Sequence, residues 1–378
     1  MRSWTRVAAA LMAVGAVLFV GSPVRAADGV WTRTPTPIEP GDNFLYGADA
    51  TDATHVWAVG AVTPRFGTGT GHSQILRYDG TAWRPATMSG FPSGSNGLHA
   101  VDAVTATEAW AVGGARAGIS GSSTLVARWN GTTWTPEATP NGNPTGVNGL
   151  AGVAAAGGTV WAVGTYLDGS YTSHGLVLQR TGGTWRVAGA PQVLASEYLT
   201  AVDATGPADA WVVGSGRNDV GSPSSAPIAL RWNGSTWSSL PPPNPGYAEL
   251  YAVEAIAPNN VWVAGRAQTE INGVQPYIAQ FNGTSWRRVA VPTILGGGQI
   301  SDLVALSATN IVAVGTGGTA GSSIVLHWNG STWTRETAPD TVRVTAAAGV
   351  GPNTFWAVGI GFDLSAYQYR NFAIVQKN

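Results

Sequence analysis

An apolar run of the form VWAVG returns seven times along this chain, at Trp57, Trp110, Trp161, Trp211, Trp262, Val312 and Trp356. A second signal, [DN]-G-x-x-W in most copies, recurs at Trp83, Trp134, Trp185, Trp237, Trp286 and Trp333. A period of about 50 residues belongs to propellers or arrays, because a unit of that length cannot bury its apolar faces alone and must stack on its neighbours.

Each unit reads as four short strands, A to D. Strand A is LHAVDA (98–103) or LTAVDA (199–204), and strand B is the VWAVG run. Strand C is LVARW (125–129) or IVLHW (324–328), apolar at nearly every position, as expected of a central strand buried on both faces. Asp79-Gly80, Asn130-Gly131, Asn233-Gly234, Asn282-Gly283 and Asn329-Gly330 precede strand D, with Gly182-Gly183 in the third unit. These dipeptides predict two-residue hairpins with positive φ at both central positions. The seventh unit ends in FAIVQKN, a strand C without its D, whereas Asp28-Gly29-Val30-Trp31 is a turn and strand D without a partner. The expected fold is therefore all-β: a seven-bladed β-propeller of four-stranded antiparallel blades, with the N-terminal strand closing the last blade and satisfying both free edges.

The WAVG…WNGxxW repeats resemble those of secreted actinobacterial propeller proteins and, more distantly, kelch-type and galactose-oxidase-type blades and the sialidase Asp-box. The resemblance covers the whole chain after residue 26 and implies a fold rather than an activity. Kelch units carry a double glycine after strand B, matched here at Gly113-Gly114, and the Asp-box S-x-D-x-G-x-T-W is one residue longer than YDGTAW or WNGSTW.

The first residues give a basic start (Arg2, Arg6), an apolar run over 7–20, then Pro23, Val24 and Ala26. This pattern predicts a cleaved secretory signal over residues 1–26, a propeller domain over 27–378, and a secreted, extracellular product. The run is short for a bilayer span, and no later stretch suits membrane insertion. Cysteine is absent, which removes thiolate metal sites, thiol nucleophiles and the crosslinked tyrosine of galactose-oxidase chemistry. Charged residues make up 11% of the chain and the net charge is −1, too little positive field for nucleic acid. A ring that satisfies its own edges suits a monomer, or one subunit of a secreted assembly.

Every tryptophan after the signal falls on strand B, strand D or the end of strand C, so the expected role of these rings is the core between blades. Asp49, Asp102, Asp203 and Glu254 share one position of strand A, where the other units have Ala154, Val304 and Ala348. Such acids could ring a channel around a cation or water; the favoured expectation is that each accepts hydrogen bonds from the A–B turn beneath it. The sequons at Asn130, Asn233, Asn282 and Asn329 follow from the turn chemistry.

The B–C and D–A loops share one face and vary from blade to blade, which makes that face the expected binding surface. The B–C loops offer Arg65 and Phe66 in the first blade, Arg116 in the second, and Tyr166, Asp168 and Tyr171 in the third. Arg217 and Asp219 follow in the fourth, Arg266, Glu270 and Tyr277 in the fifth, and Asp363, Tyr367, Tyr369 and Arg370 in the seventh. The D–A loops add Glu39, Asp42, Glu197, Tyr198, Tyr247, Glu249 and Arg343. Tyrosine and arginine among small polar residues suit a glycan or an extracellular protein. The scaffold repeats but these loops do not, so one composite site is expected rather than seven equal ones.

No cofactor and no metal site is expected: His55, His72, His99, His174 and His327 show no ligand spacing, and no GxSxG elbow occurs. The leading expectation is a non-catalytic recognition propeller. A glycan-active hydrolase or lyase is the alternative; a sialidase-like version would need Arg65, Arg116, Arg217 and Arg266 to converge, with Tyr369 and Asp168 assisting. A purely structural role is the third.

Overall fold

The computed structural model describes residues 30–65, 69–117, 121–219, 224–269, 273–318, 321–339 and 342–377. The predicted signal segment lies outside them. Seven four-stranded antiparallel sheets stand in a ring, each with strand order A-B-C-D. In the seventh, strand A (Val342–Val350), B (Thr354–Asp363) and C (Gln368–Lys377) are completed by Thr32–Thr34 from the N-terminal end, with Thr32 opposite Val375. The expected closure is therefore present.

The core divides into seven clusters, each shared by neighbouring blades. At six of the junctions the strand-B tryptophan meets the strand-D tryptophan of the next blade edge to face, as in Trp57–Trp134 at 5.1 Å and 90° and Trp356–Trp83 at 5.4 Å and 90°. Such pairs contribute about 0.5–1.5 kcal/mol each beyond the apolar area they bury. The seventh junction explains the one repeat without tryptophan in strand B: Val312 packs with Trp31 of the closing strand.

The C–D turn differs from expectation. Gly80, Gly131, Gly234, Gly283 and Gly330 have φ of 92–97°, but the Asp or Asn before each does not adopt positive φ. Instead Asn130 Oδ1 accepts from the N–H groups of Thr132 (3.0 Å) and Thr133 (2.9 Å), and the same side-chain-closed turn forms at Asp79, Asn233, Asn282 and Asn329. The side chain supplies an acceptor that a bare two-residue hairpin lacks, so four residues close the loop. In the third blade, with no Asn available, Gly182 and Gly183 both take positive φ and Thr181 pairs directly with Thr184.

Candidate binding face at the channel mouth

Strand A lines the central channel and carries an irregularity at the same place in every blade. Pairing with strand B slips by one residue at Tyr46, His99, Ala151, Thr200, Tyr251, Ser301 and Thr345. Bulges re-aim side chains, and these seven residues surround one pocket at the loop-face end of the channel. Some tie their blade to the next: His99 Nδ1 lies 3.0 Å from Leu150 O, Thr200 donates to Leu250 O (2.9 Å) and Thr345 to Leu45 O (2.8 Å).

From this pocket a continuous line of rings runs outward over the seam of blades one and seven. His99 meets Tyr46 edge-on at 5.8 Å, Tyr46 stacks on Phe44 at 5.9 Å, and Phe44 touches Tyr369 at 5.5 Å. Tyr369 meets Phe362 at 5.0 Å, and Phe362 meets Tyr367 at 5.4 Å. Tyr367 is 73% exposed, and Tyr369 and Phe362 are exposed beside it. Arg65 braces the ribbon by donating to Ala366 O (3.1 Å) and to Tyr367 O. Asp363 closes the supporting loop by accepting from Ser365 N–H (2.9 Å) and Ala366 N–H (3.1 Å), with Arg370 at 3.6 Å.

Opposite in character is the wall made by blade five. Glu249 accepts from Tyr251 Oη and from Arg266 Nε (2.8 Å), while Arg266 Nη2 reaches Tyr247 Oη at 3.2 Å. Burial raises the Glu249 carboxyl, but hydrogen bonds from Tyr251, Tyr247 and Arg266 and the guanidinium charge outweigh it and hold the group below its usual range. Burial, then the Glu249 carboxylate, push the Tyr251 phenol upward, so it keeps its proton and donates.

The remaining expected residues do not join these walls. Tyr166 stacks on His174 at 5.1 Å, and Asp168 pairs with His174 at 3.0 Å while closing its own loop through Ser170 and Thr172 N–H. Tyr171 stands 83% exposed at the tip of that loop. Arg116, Arg217 and Asp219 are exposed on blades two and four, and Phe66 and Glu270 lie outside the described residues. Tyr277 is a correction: strand C of blade five begins at Gly273, so Tyr277 falls inside it, fully buried, with its hydroxyl on Pro243 O at 2.7 Å. Among the described residues no group of His, Asp and Glu side chains is arranged to hold a metal ion.

Toward the turn end, the channel acids also depart from expectation. Asp49 accepts from Ala103 N–H (2.7 Å), Asp102 from Ala155 N–H, and Asp203 from Ala255 N–H (2.6 Å), in each case on strand A of the next blade rather than the turn beneath. Glu254 reaches Ala305 in the same way. Blade six has Val304 in the acid column but carries Asp302 two residues earlier, which accepts from Ala347 N–H at 2.9 Å. Strand A is the inner edge of its sheet, so its outward N–H groups need acceptors, and these five carboxyls supply them across blade junctions. Each carboxyl keeps some surface toward the channel, yet burial deep in the ring dominates. Burial, then repulsion from Asp203, push Asp49 up to about 6, and burial, then Asp49 and Asp203, push Asp302 up to about 7. Asp102, Asp203 and Glu254 are raised by burial first as well.

This ring of blades around one channel decides the architecture. The chain is a seven-bladed β-propeller. No family model and no curated protein matches the propeller's sequence. Solved structures resemble it in fold. A structure described as YCF48 bound to D1 peptide is 14% identical, with a TM-score of 0.55, covering 92% of this chain and 96% of its own. YCF48 from Cyanidioschyzon merolae is 15% identical, with a TM-score of 0.53 and coverages of 92% and 98%. A protein of unknown function from Dyadobacter fermentans is 13% identical, with a TM-score of 0.54 and coverages of 92% and 99%. At such identities the propeller shares a fold with them and nothing finer.

Proposed function

We propose that this propeller is a non-catalytic recognition protein that holds a glycan or protein partner outside the cell, on its B–C and D–A loop face, alone or within a secreted assembly. The observation that carries the reading is the ribbon of rings from His99 to Tyr367, exposed at its outer end. Aromatic faces fixed on a rigid ring present contact area at little ordering cost. A bound peptide in a propeller of similar fold is consistent with this use of the architecture. The test is retention of residues 27–378 on immobilised polysaccharides and on a glycan array, with product analysis of each glycan retained. Retention without cleavage, lost in Tyr369→Ala and Phe362→Ala, supports the reading; retention indifferent to both substitutions sinks the ribbon as the site.

A second reading, a glycan-active hydrolase or lyase, is favoured by one cluster: Tyr251, Glu249 and Arg266 in mutual hydrogen bonding at the channel mouth. Appearance of cleavage products that vanish in Tyr251→Phe would replace the first reading by this one.

A further inference from the structure

Blade six is rich in glycine on the loop face. Its approach is Gly296-Gly297-Gly298, its strand B ends at Gly317, and strand C is preceded by Gly321, so small residues floor the space between blades five and seven. The closeness is structural: a Cβ at Gly297 would meet Val274 O at 2.6 Å, and one at Gly317 would meet Gly297 O at 2.5 Å. The result is an open cavity of about 530 Å³, with Arg266 and Arg343 among its walls and Gln299 and Thr316 between them. That volume lies within the ~300–1,000 Å³ usual for small-molecule sites.

The two arginines differ in a useful way. Arg266 is fixed by Glu249 and Tyr247, and its charge is largely answered by Glu249. Arg343 is exposed and, among the described residues, has neither an ion pair nor a hydrogen bond. A long cationic side chain that lines the same cavity as Arg266 and has no counter-charge among the described residues is complementary to an anion, and the planar fork of arginine matches a carboxylate. Among the described residues on the walls Val274 is the one apolar side chain, whereas a peptide strand or helix is gripped through apolar pockets. Amide and hydroxyl side chains at Gln299 and Thr316 instead suit a hydroxylated ring.

We infer that this saddle is a subsite for the carboxylate of an acidic sugar, a uronate residue within a glycan chain, with Arg343 as the principal anion contact and Arg266 as a fixed second donor. The inference rests on the glycan form of the recognition reading and adds its charge preference. The aromatic ribbon and the saddle lie on the same face, so one acidic chain could engage both.

The test is titration calorimetry of residues 27–378 with trigalacturonate, with neutral galactotriose and with acetate as a bare carboxylate, for the parent and for Arg343→Gln and Arg343→Lys. Arg343 is exposed, so neither substitution disturbs the core. Expected are binding of trigalacturonate that weakens with rising salt, a loss of about tenfold or more in Arg343→Gln, and an intermediate loss in Arg343→Lys. Absence of trigalacturonate binding, equal binding of galactotriose, or indifference to Arg343→Gln overturns the subsite. Full competition by acetate at equal concentration overturns the sugar assignment. Retention on neutral polysaccharides that still depends on Tyr369 and Phe362 would leave the recognition reading standing after the subsite had fallen.

Discussion

Strand A of each blade supplies both ends of the central channel, and the two ends are built on opposite principles. Toward the turn end, the carboxyls of Asp49, Asp102, Asp203 and Glu254, joined by Asp302 at the edge of the mouth pocket, reach the next blade's backbone, so repeated residues do a repeated job. At the loop end, one to three residues away along the same strands, the bulged positions hold Tyr, His, Ala, Thr, Tyr, Ser and Thr, no two neighbours alike. Selection for closure of the ring makes blades similar, whereas a single asymmetric ligand site requires them to differ. The difference predicts that damage to the turn end is read as stability and damage to the loop end as binding.

The largest expected effect is among the five channel carboxyls. Asp302→Ala leaves the Ala347 N–H without its acceptor, and a buried unsatisfied donor costs about 1–3 kcal/mol, measured by chemical denaturation. Asp302→Asn keeps an acceptor while removing the charge that burial penalises, so it matches or exceeds the parent at pH 8. An Ala substitution without loss of stability would break the comparison at its lower end.

The pH dependence is next in size. A carboxyl whose folded pKa lies above its unfolded value binds its proton more tightly in the native state, so its stabilisation is fully present below the unfolded value and is lost as pH rises from there to the folded value. Asp49 at about 6 and Asp302 at about 7, each raised from 3.8, place that fall between about pH 4 and pH 7. Glu249 and Glu336 are depressed and act in the opposite sense, their contribution being lost as pH falls through the acid range. Maximal stability is therefore expected near about pH 4, and Asp49→Asn with Asp302→Asn should flatten the decline above it. A thermal midpoint that climbs steadily from about pH 4 to pH 7 would contradict the burial of these carboxyls.

Smaller again is the tie at the seam. Thr345 donates from blade seven to Leu45 O of blade one, and Thr345→Val removes that bond at a cost of about 0.5–1.5 kcal/mol. Because Thr345 also borders the mouth pocket, denaturation and glycan retention measured together show whether one bulged residue serves both ends of the comparison.

Much of the lower end was legible in the sequence, and less of the upper. The acid column appeared because Asp49, Asp102, Asp203 and Glu254 align, but Asp302 lies two residues off the column and could be seen only once the channel brought it into line. The direction of the hydrogen bonds, to the next blade rather than the turn, depends on how sheets are staggered around the ring, which no linear pattern records. The bulges had a faint signal: LYG, LHA, LAG, LTA, LYA, ISD and VTA share an apolar first residue and vary at the second. Tyr277 was misread because the fifth B–C loop ends at Gly273, four residues before it. Arg343 was visible as a loop residue, but its pocket is made by what glycine leaves out.

The smallest stability effect is expected where the loop face is most strained. Tyr171 and Tyr367 hold φ of 60° and 51°, a region that a bulky residue rarely occupies, and both are exposed at the tips of B–C loops closed by Asp168 and Asp363. Glycine takes this conformation without steric cost but gives the unfolded chain more freedom, so Tyr171→Gly and Tyr367→Gly should each lie within about 1 kcal/mol of the parent. Their binding should differ: Tyr367 ends the aromatic ribbon, whereas Tyr171 stands on blade three and joins neither the ribbon nor the blade-five wall. Retention lost in Tyr367→Gly and kept in Tyr171→Gly would assign the mouth to one seam of the ring. Equal losses would extend the binding face to the third blade, and equal retention would show that a strained, exposed tyrosine can persist on this face without contacting the ligand.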